Sequence, residues 1–168
     1  ENEGRGFGES YFEKDLSSVI EDLKHNKLSK KSEGAEIVEF ANEKYPPLMI
    51  TKSDGASLYA TRDLATDKFR KDKYGKDLLI INEVGSEQTL YFRQLYELES
   101  MLGWFTKEQR VHIGHGLYRF KDQKMSTRKG NTVWLEDVIE EAESRASKLG
   151  TDSTVGPEVA IASLKWND

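Results

Sequence analysis

Two places in the chain carry side chains whose types and spacing suit chemistry on small charged molecules. Between Lys121 and Asn131 stand four cations, Lys121, Lys124, Arg128 and Lys129, against one anion, Asp122. Ser126 and Thr127 add hydroxyl donors, and Gly130 gives the segment a hinge. A cationic loop with hydroxyls suits a phosphate chain whose charge changes during reaction. Taken alone, the same composition is more simply a solvated basic turn. The spacing G-x-x-x-x-G-K-[ST] of a Walker P-loop is absent. The second place is Ser57 to Thr66, SLYATRDLAT, which sets Tyr59 and Asp63 four residues apart at an expected strand-to-helix junction. A carboxylate beside an aromatic face suits a planar guanidinium. By itself, Asp63 is more simply an acid favoured near a helix start. Gln88 follows an apolar run, at the carboxyl end of a strand, where α/β sheets place ligands. The plainer reading, a polar residue opening a helix, carries less weight.

The elements that must hold these residues are legible in the apolar pattern. Phe12, Leu16, Val19, Ile20 and Leu23 fall on one helical face, which predicts a helix over Ser10 to Leu23. Ser29 to Gly34 reads as a polar break. Ile37 to Phe40 and Leu48 to Thr51 suit strands, and Ser53-Asp54-Gly55 suggests a hairpin between Leu48–Lys52 and Ala56–Tyr59. Thr61 is placed as a helix N-cap before Leu64 to Lys73. Leu78 to Ile81 is an uninterrupted apolar run, as in a strand buried on both faces of a parallel sheet. Gln88 to Leu102 reads as a helix stopped by Gly103, Val111 to Phe120 as a strand, and Leu135 to Leu149 and Val155 to Trp166 as helices. The strand–helix–strand order from Leu78 onward points to a Rossmann-like α/β layer.

Composition narrows the class. With 36% hydrophobic and 33% charged residues, the chain of 168 fits a soluble globular protein. A net charge of −5 argues against nucleic-acid binding by bulk charge and leaves a local basic patch as the route. There is no cysteine, and the three histidines make no zinc pattern. No apolar run of about 18 residues appears, so no membrane partner is expected, and the chain reads as cytoplasmic. Residue 1 is Glu, and the polar, glycine-rich opening ENEGRGFG reads as a cut or a loop end.

Lys124 to Asn131, KMSTRKGN, resembles the KMSKS signature loop of class I aminoacyl-tRNA synthetases, in the MSTRKG form of arginyl enzymes. Thr127 stands where that signature has its second lysine. LYATRD, Leu58 to Asp63, resembles the arginyl segment whose Tyr and Asp contact the substrate side chain. The resemblance also takes in GESYFEKDL, SEGAEIVEF and VGPEVAIASLKWND, and so runs nearly end to end. It implies the second half of a Rossmann-like class I catalytic domain, with a β-hairpin insertion and trailing helices. Residues 1–150 would be the partial catalytic domain, and 151–168 the start of the helical stem-contact and anticodon-binding region. It implies arginine contacts for Tyr59, Asp63 and Gln88, with Tyr91 where the family usually has His. Lys124, Arg128 and Lys129 would be the catalytic cations, and His112, Gly116, Ser126 and Thr127 would border ATP. ATP would bring Mg2+ with it, with no metal site on the protein, and arginine, ATP and the arginine tRNA would be the partners, beside the missing remainder of the synthetase. The string His112 to His115 spells HIGH, the other class I signature, but only twelve positions separate His112 from Lys124. The true motif follows the first strand of the fold and opens a helix, so this string matches the strand that leads into the loop instead. The expected activity is ATP-dependent ligation of arginine to tRNA, with the isolated chain inactive. The competing reading is a non-catalytic RNA-binding or regulatory module derived from the same fold.

Overall fold

The computed structural model describes residues 7–75, 77–116, 133–149 and 156–166. The signature-loop residues Lys124, Ser126, Thr127, Arg128 and Lys129 lie outside these. The chain divides into two compact units, up to Gly114 and from His115 onward.

The first unit opens with a 3-10 turn, Glu9–Asp15, that runs into helix α1, Leu16–His25. The single helix expected there is therefore split. No side chain caps the start, and the first bond, from Tyr11 N–H to the Gly8 carbonyl at 3.0 Å, is already of the i to i+3 type. The apolar stripe keeps its role, with Phe12, Leu16, Val19 and Leu23 all buried.

A three-stranded antiparallel sheet follows, made of β1 (Ser29–Ser32), β2 (Ala35–Val38) and β3 (Leu48–Thr51), in that order. Strand β1 occupies the stretch read as a polar break. Its SKKS sequence has no apolar alternation, and it becomes a strand by pairing with the buried β2. The register brings Ser32 opposite Ala35, so Glu33 and Gly34 form a two-residue turn with φ of 50° and 86°. Both values are positive, as a type I′ hairpin turn requires. This hairpin joins β1 to β2, and the expected one between Leu48–Lys52 and Ala56–Tyr59 is present in short form, with Lys52 N–H on the Ala56 carbonyl at 2.9 Å and Leu58 N–H on that of Ile50 at 3.2 Å. Beyond β3, Gly55 N–H bonds to the Lys52 carbonyl, and Asp54 Oδ1 accepts from Ala56 N–H at 2.9 Å. Only one bridge, Thr51 to Ser57, forms before helix α2, Tyr59–Tyr74, begins.

Helix α2 starts two residues ahead of the expected cap. Leu58, in extended backbone, is the N-cap, and Thr61 lies fully buried inside the first turn. Its hydroxyl donates to the Ile50 carbonyl at 2.6 Å, which ties the helix to β3. Lys68 reaches back to Asp22, and Arg62 to Glu13 at 2.7 Å, fastening α2 to the opening segment.

Strand β4 (Ile80–Gly85), helix α3 (Thr89–Met101) and strand β5 (Arg110–His115) form a Rossmann-like parallel unit with a helical crossover. Helix α3 closes with Trp104 N–H on the Glu99 carbonyl and Gly103 N–H on that of Ser100, a Schellman pair. The apolar run Leu78 to Ile81, which leads into β4, is not buried on both faces. Ile80 is buried, while Leu79 and Ile81 are 56% and 55% exposed. One core cluster joins Phe12, Val19, Val38, Ile50, Leu64, Ile80, Phe92 and Leu98. In the second unit, helices α4 (Leu135–Lys148) and α5 (Gly156–Trp166) bury Ala146 and Ala160. Acids open α4 and bases close it, in keeping with the helix dipole. Among the described residues no helix is long and apolar enough to cross a membrane.

Gly34 gives the sharpest test of the hairpin. Besides its positive φ, a Cβ there would come within 3.1 Å of Ser53 Cβ. Gly34→Ala is expected to cost about 1–2 kcal/mol. In equilibrium urea unfolding the midpoint should fall with the slope unchanged.

Candidate functional site

Tyr59, Asp63 and Gln88 were each singled out from sequence, and the fold brings all three to one cleft. Asn82, Val84, Tyr91 and Phe92 complete the lining of this space of about 370 Å³. Small-molecule sites run from roughly 300 to 1,000 Å³. Tyr59 and Asp63 sit one turn apart on α2 and not across a strand-to-helix junction, because α2 starts at Tyr59. Tyr59 is 71% exposed, so its ring is open to a ligand. Gln88 is the exposed N-cap of α3, reached from β4 through the short turn Ser86–Gln88. That turn lies against β5. A Cβ on Gly114 would be 3.3 Å from both Ser86 Cα and Cβ, so a glycine lets the two backbones approach there.

Asp63 is partly buried and accepts a hydrogen bond from the Tyr91 hydroxyl. Burial, then the neighbouring Asp63 charge, raises the Tyr91 hydroxyl above its ordinary value, so it acts as a donor. Phe92 stands edge-on to Tyr91 with centroids 5.3 Å apart. Tyr96 donates to Asn82 Oδ1 at 3.0 Å. Its own hydroxyl is pushed up to about 12, chiefly by burial and against the Arg110 charge. A carboxylate and an amide oxygen that accept hydrogen bonds, beside an open aromatic ring, suit a planar cation that donates them.

His112 does not line this cleft. Its ring stacks on Phe92 at 4.6 Å, and its Nε2 lies 2.9 Å from the Val84 carbonyl. The HIGH string is indeed strand, filling the end of β5. Gly116 belongs to the second unit, and its carbonyl meets His115 Nδ1 at 2.8 Å.

Sequence reasoning missed the ionic cluster under the cleft. Arg110 is buried, with Nη2 2.6 Å from Asp67 Oδ2 and Nε 2.8 Å from Glu99 Oε2. Asp67 also takes Arg70 at 2.6 Å. The guanidinium lies over the rings of Tyr96 and Phe105, at 4.5 and 5.5 Å. The Glu99 contact is off the hydrogen-bond direction. Both Glu99 oxygens, with Arg110 Nε and Nη1, therefore find no aligned partner among the described residues. Burial first, then the Asp67 charge, lifts the Glu99 carboxyl well above the ordinary value of 4.5. The signal in the sequence was position. Asp67 falls on the buried stripe of α2 after Ala60 and Leu64, and Glu99 on that of α3 beside Leu95 and Leu98.

Glu99→Gln mimics the protonated acid and is expected to change stability by less than about 1 kcal/mol. Asp67→Asn, which strips Arg110 of its aligned carboxylate, should cost about 3–5 kcal/mol. The native state holds the Glu99 proton above pH 4.5 while the unfolded chain releases it. Stability therefore declines as pH rises from 4.5 toward the raised value, and levels off beyond it. Urea unfolding across that range should show this slope in the parent and lose it in Glu99→Gln.

The family model of the catalytic domain of tRNA synthetases class I (R) matches residues 3–155. An arginine–tRNA ligase of Clostridium perfringens is 42% identical over 165 residues, covering 94% of this chain and 29% of the relative. That of Clostridioides difficile is 39% identical over 142 residues, covering 84% and 25%. The chain thus spans under a third of the length of these curated relatives. The crystal structure of an arginyl-tRNA synthetase from Plasmodium falciparum superposes with a TM-score of 0.69 at 22% identity. It covers 95% of this chain and 28% of that one, and speaks for the fold.

Proposed function

The chain belongs to the arginyl class I tRNA synthetase family, and we propose that it supplies the arginine pocket and the phosphate loop of a longer arginine–tRNA ligase. What carries the pocket half of the reading is convergence. Tyr59, Asp63 and Gln88 line a single cleft, with a carboxylate suited to a guanidinium and a ring open beside it. The loop half rests on the sequence KMSTRKGN, whose cations and hydroxyls match the chemistry of a triphosphate.

In this reading the arginine carboxylate attacks the α-phosphorus of ATP, forming arginyl-adenylate and releasing pyrophosphate. A terminal hydroxyl of the tRNA then attacks the adenylate carbonyl and releases AMP. Asp63 and Gln88 fix the arginine side chain, and Tyr59 covers it. Lys124, Arg128 and Lys129 offset the charge gathering on the departing pyrophosphate, while Ser126 and Thr127 hold its oxygens. His112 and Gly116, on the stretch leading to the loop, border the nucleotide. Mg2+ enters on the ATP phosphates, and no residue of the chain is assigned to it. Residues 1–150 form the partial catalytic domain, and 151–168 begin the helical region toward the tRNA stem and anticodon.

In the full-length protein, Asp63→Ala should lower arginine affinity by 100-fold or more in isothermal titration, with ATP binding unchanged. Unaltered arginine affinity would remove the pocket assignment and favour the binding-module reading. The 168 residues alone should give no arginine-dependent pyrophosphate exchange, and robust exchange would overturn their role as a part-site.

A further inference from the structure

The carboxylate of the cleft is itself held in place. Asp63 has two side-chain torsions, and a carboxylate left to itself turns among several orientations. Here the Tyr91 hydroxyl donates to Asp63 Oδ2 from the facing helix α3. The donor is fixed in turn. Its ring packs edge-on to the buried Phe92, and Phe92 stacks on His112 of β5. A row of three rings thus runs from the strand to the carboxylate. An ionised carboxylate offers about four lone-pair sites. The bond from Tyr91 anchors one of its two oxygens, Oδ2, from α3.

We propose that Tyr91 is a positioning residue that holds the Asp63 carboxylate in the orientation that selects a guanidinium over its neutral isostere. This rests on the arginine-pocket reading above. The chemistry of the donor matters as much as its place. Burial and the Asp63 charge keep the phenol protonated through the neutral range. A phenol also adds no positive charge opposite an incoming cation. It orients the acid without competing with the ligand for it.

The test uses full-length protein and steady-state kinetics with arginine, ATP, the arginine tRNA and citrulline, the neutral ureido isostere of arginine. Tyr91→Phe keeps the ring and its packing and removes only the hydroxyl. Arginine KM should rise about five- to tenfold, within the range set by the net loss of one ordinary intramolecular hydrogen bond. The ratio of the citrulline inhibition constant to the arginine KM should narrow by a similar factor. ATP KM, kcat and Tm should stay within twofold or within a few degrees, which separates positioning from a general structural defect. Arginine KM within twofold of the parent overturns the inference, as do equal shifts in arginine KM, ATP KM and kcat. Asp63→Asn tells the two failures apart. If it raises arginine KM 100-fold while Tyr91→Phe does nothing, the pocket stands and only the role of Tyr91 falls. If Asp63→Asn is silent as well, both fall together.

Discussion

Arg110 joins three elements through one buried charge. It leaves β5, meets Asp67 of α2 and Glu99 of α3, and lies over Tyr96 and Phe105. Taking three ionisable groups out of water costs several kcal/mol for each charge kept, and good geometry is needed to offset it. Burial and the neighbouring Asp67 charge favour the neutral form of Glu99, which lowers that cost. What the cluster gains is definition more than stability. An apolar contact between the same elements would tolerate sliding, whereas an ion pair with a 2.6 Å contact does not.

Helix α2 turns that definition into function. Asp63 and Asp67 are four residues apart and so stand on one face, a turn apart. The lower acid is locked to Arg110, and the upper one opens to the cleft and to Tyr91. Any shift of α2 along its axis would break the lower contact before it could move the upper one far. The rings of Phe92 and His112 do the same from the other side, where the His112 imidazole meets the Val84 carbonyl of β4. The cleft is thus bounded by groups whose positions are set beneath it.

How much of this could be read from the sequence depended on the kind of signal. Helices α3, α4 and α5 were legible because their apolar stripes and stop signals agree, as Gly103 does after α3. The pocket residues Tyr59, Asp63 and Gln88 were legible through the resemblance, which supplied the weight that a lone acid near a helix start does not have. Strand β1 was not legible, since SKKS shows no alternation and owes its form to β2. Thr61 looked like a cap because caps are where exposed threonines sit, and here the hydroxyl had a buried carbonyl to satisfy. Arg110, Asp67 and Glu99 escaped notice because each charge looks solvated until the partner from another element is in place. Leu79 and Ile81 misled in the opposite direction, as an apolar run says that burial is favourable and not which neighbour provides it.

Strand β1 has one more consequence, away from the cleft. It is the outer strand of the antiparallel sheet, and one side of its backbone is unpaired by the other two strands. Such an edge invites a second chain to add a strand of its own, the first step toward ordered aggregates. Lys30 and Lys31 stand in the middle of β1, both exposed, with Lys30 held near Glu39 at 2.6 Å. A neighbouring copy docking edge to edge would bring like ammonium groups together and strip them of water. The least apolar of the described strands thereby carries the kind of charge that disfavours pairing at an open edge.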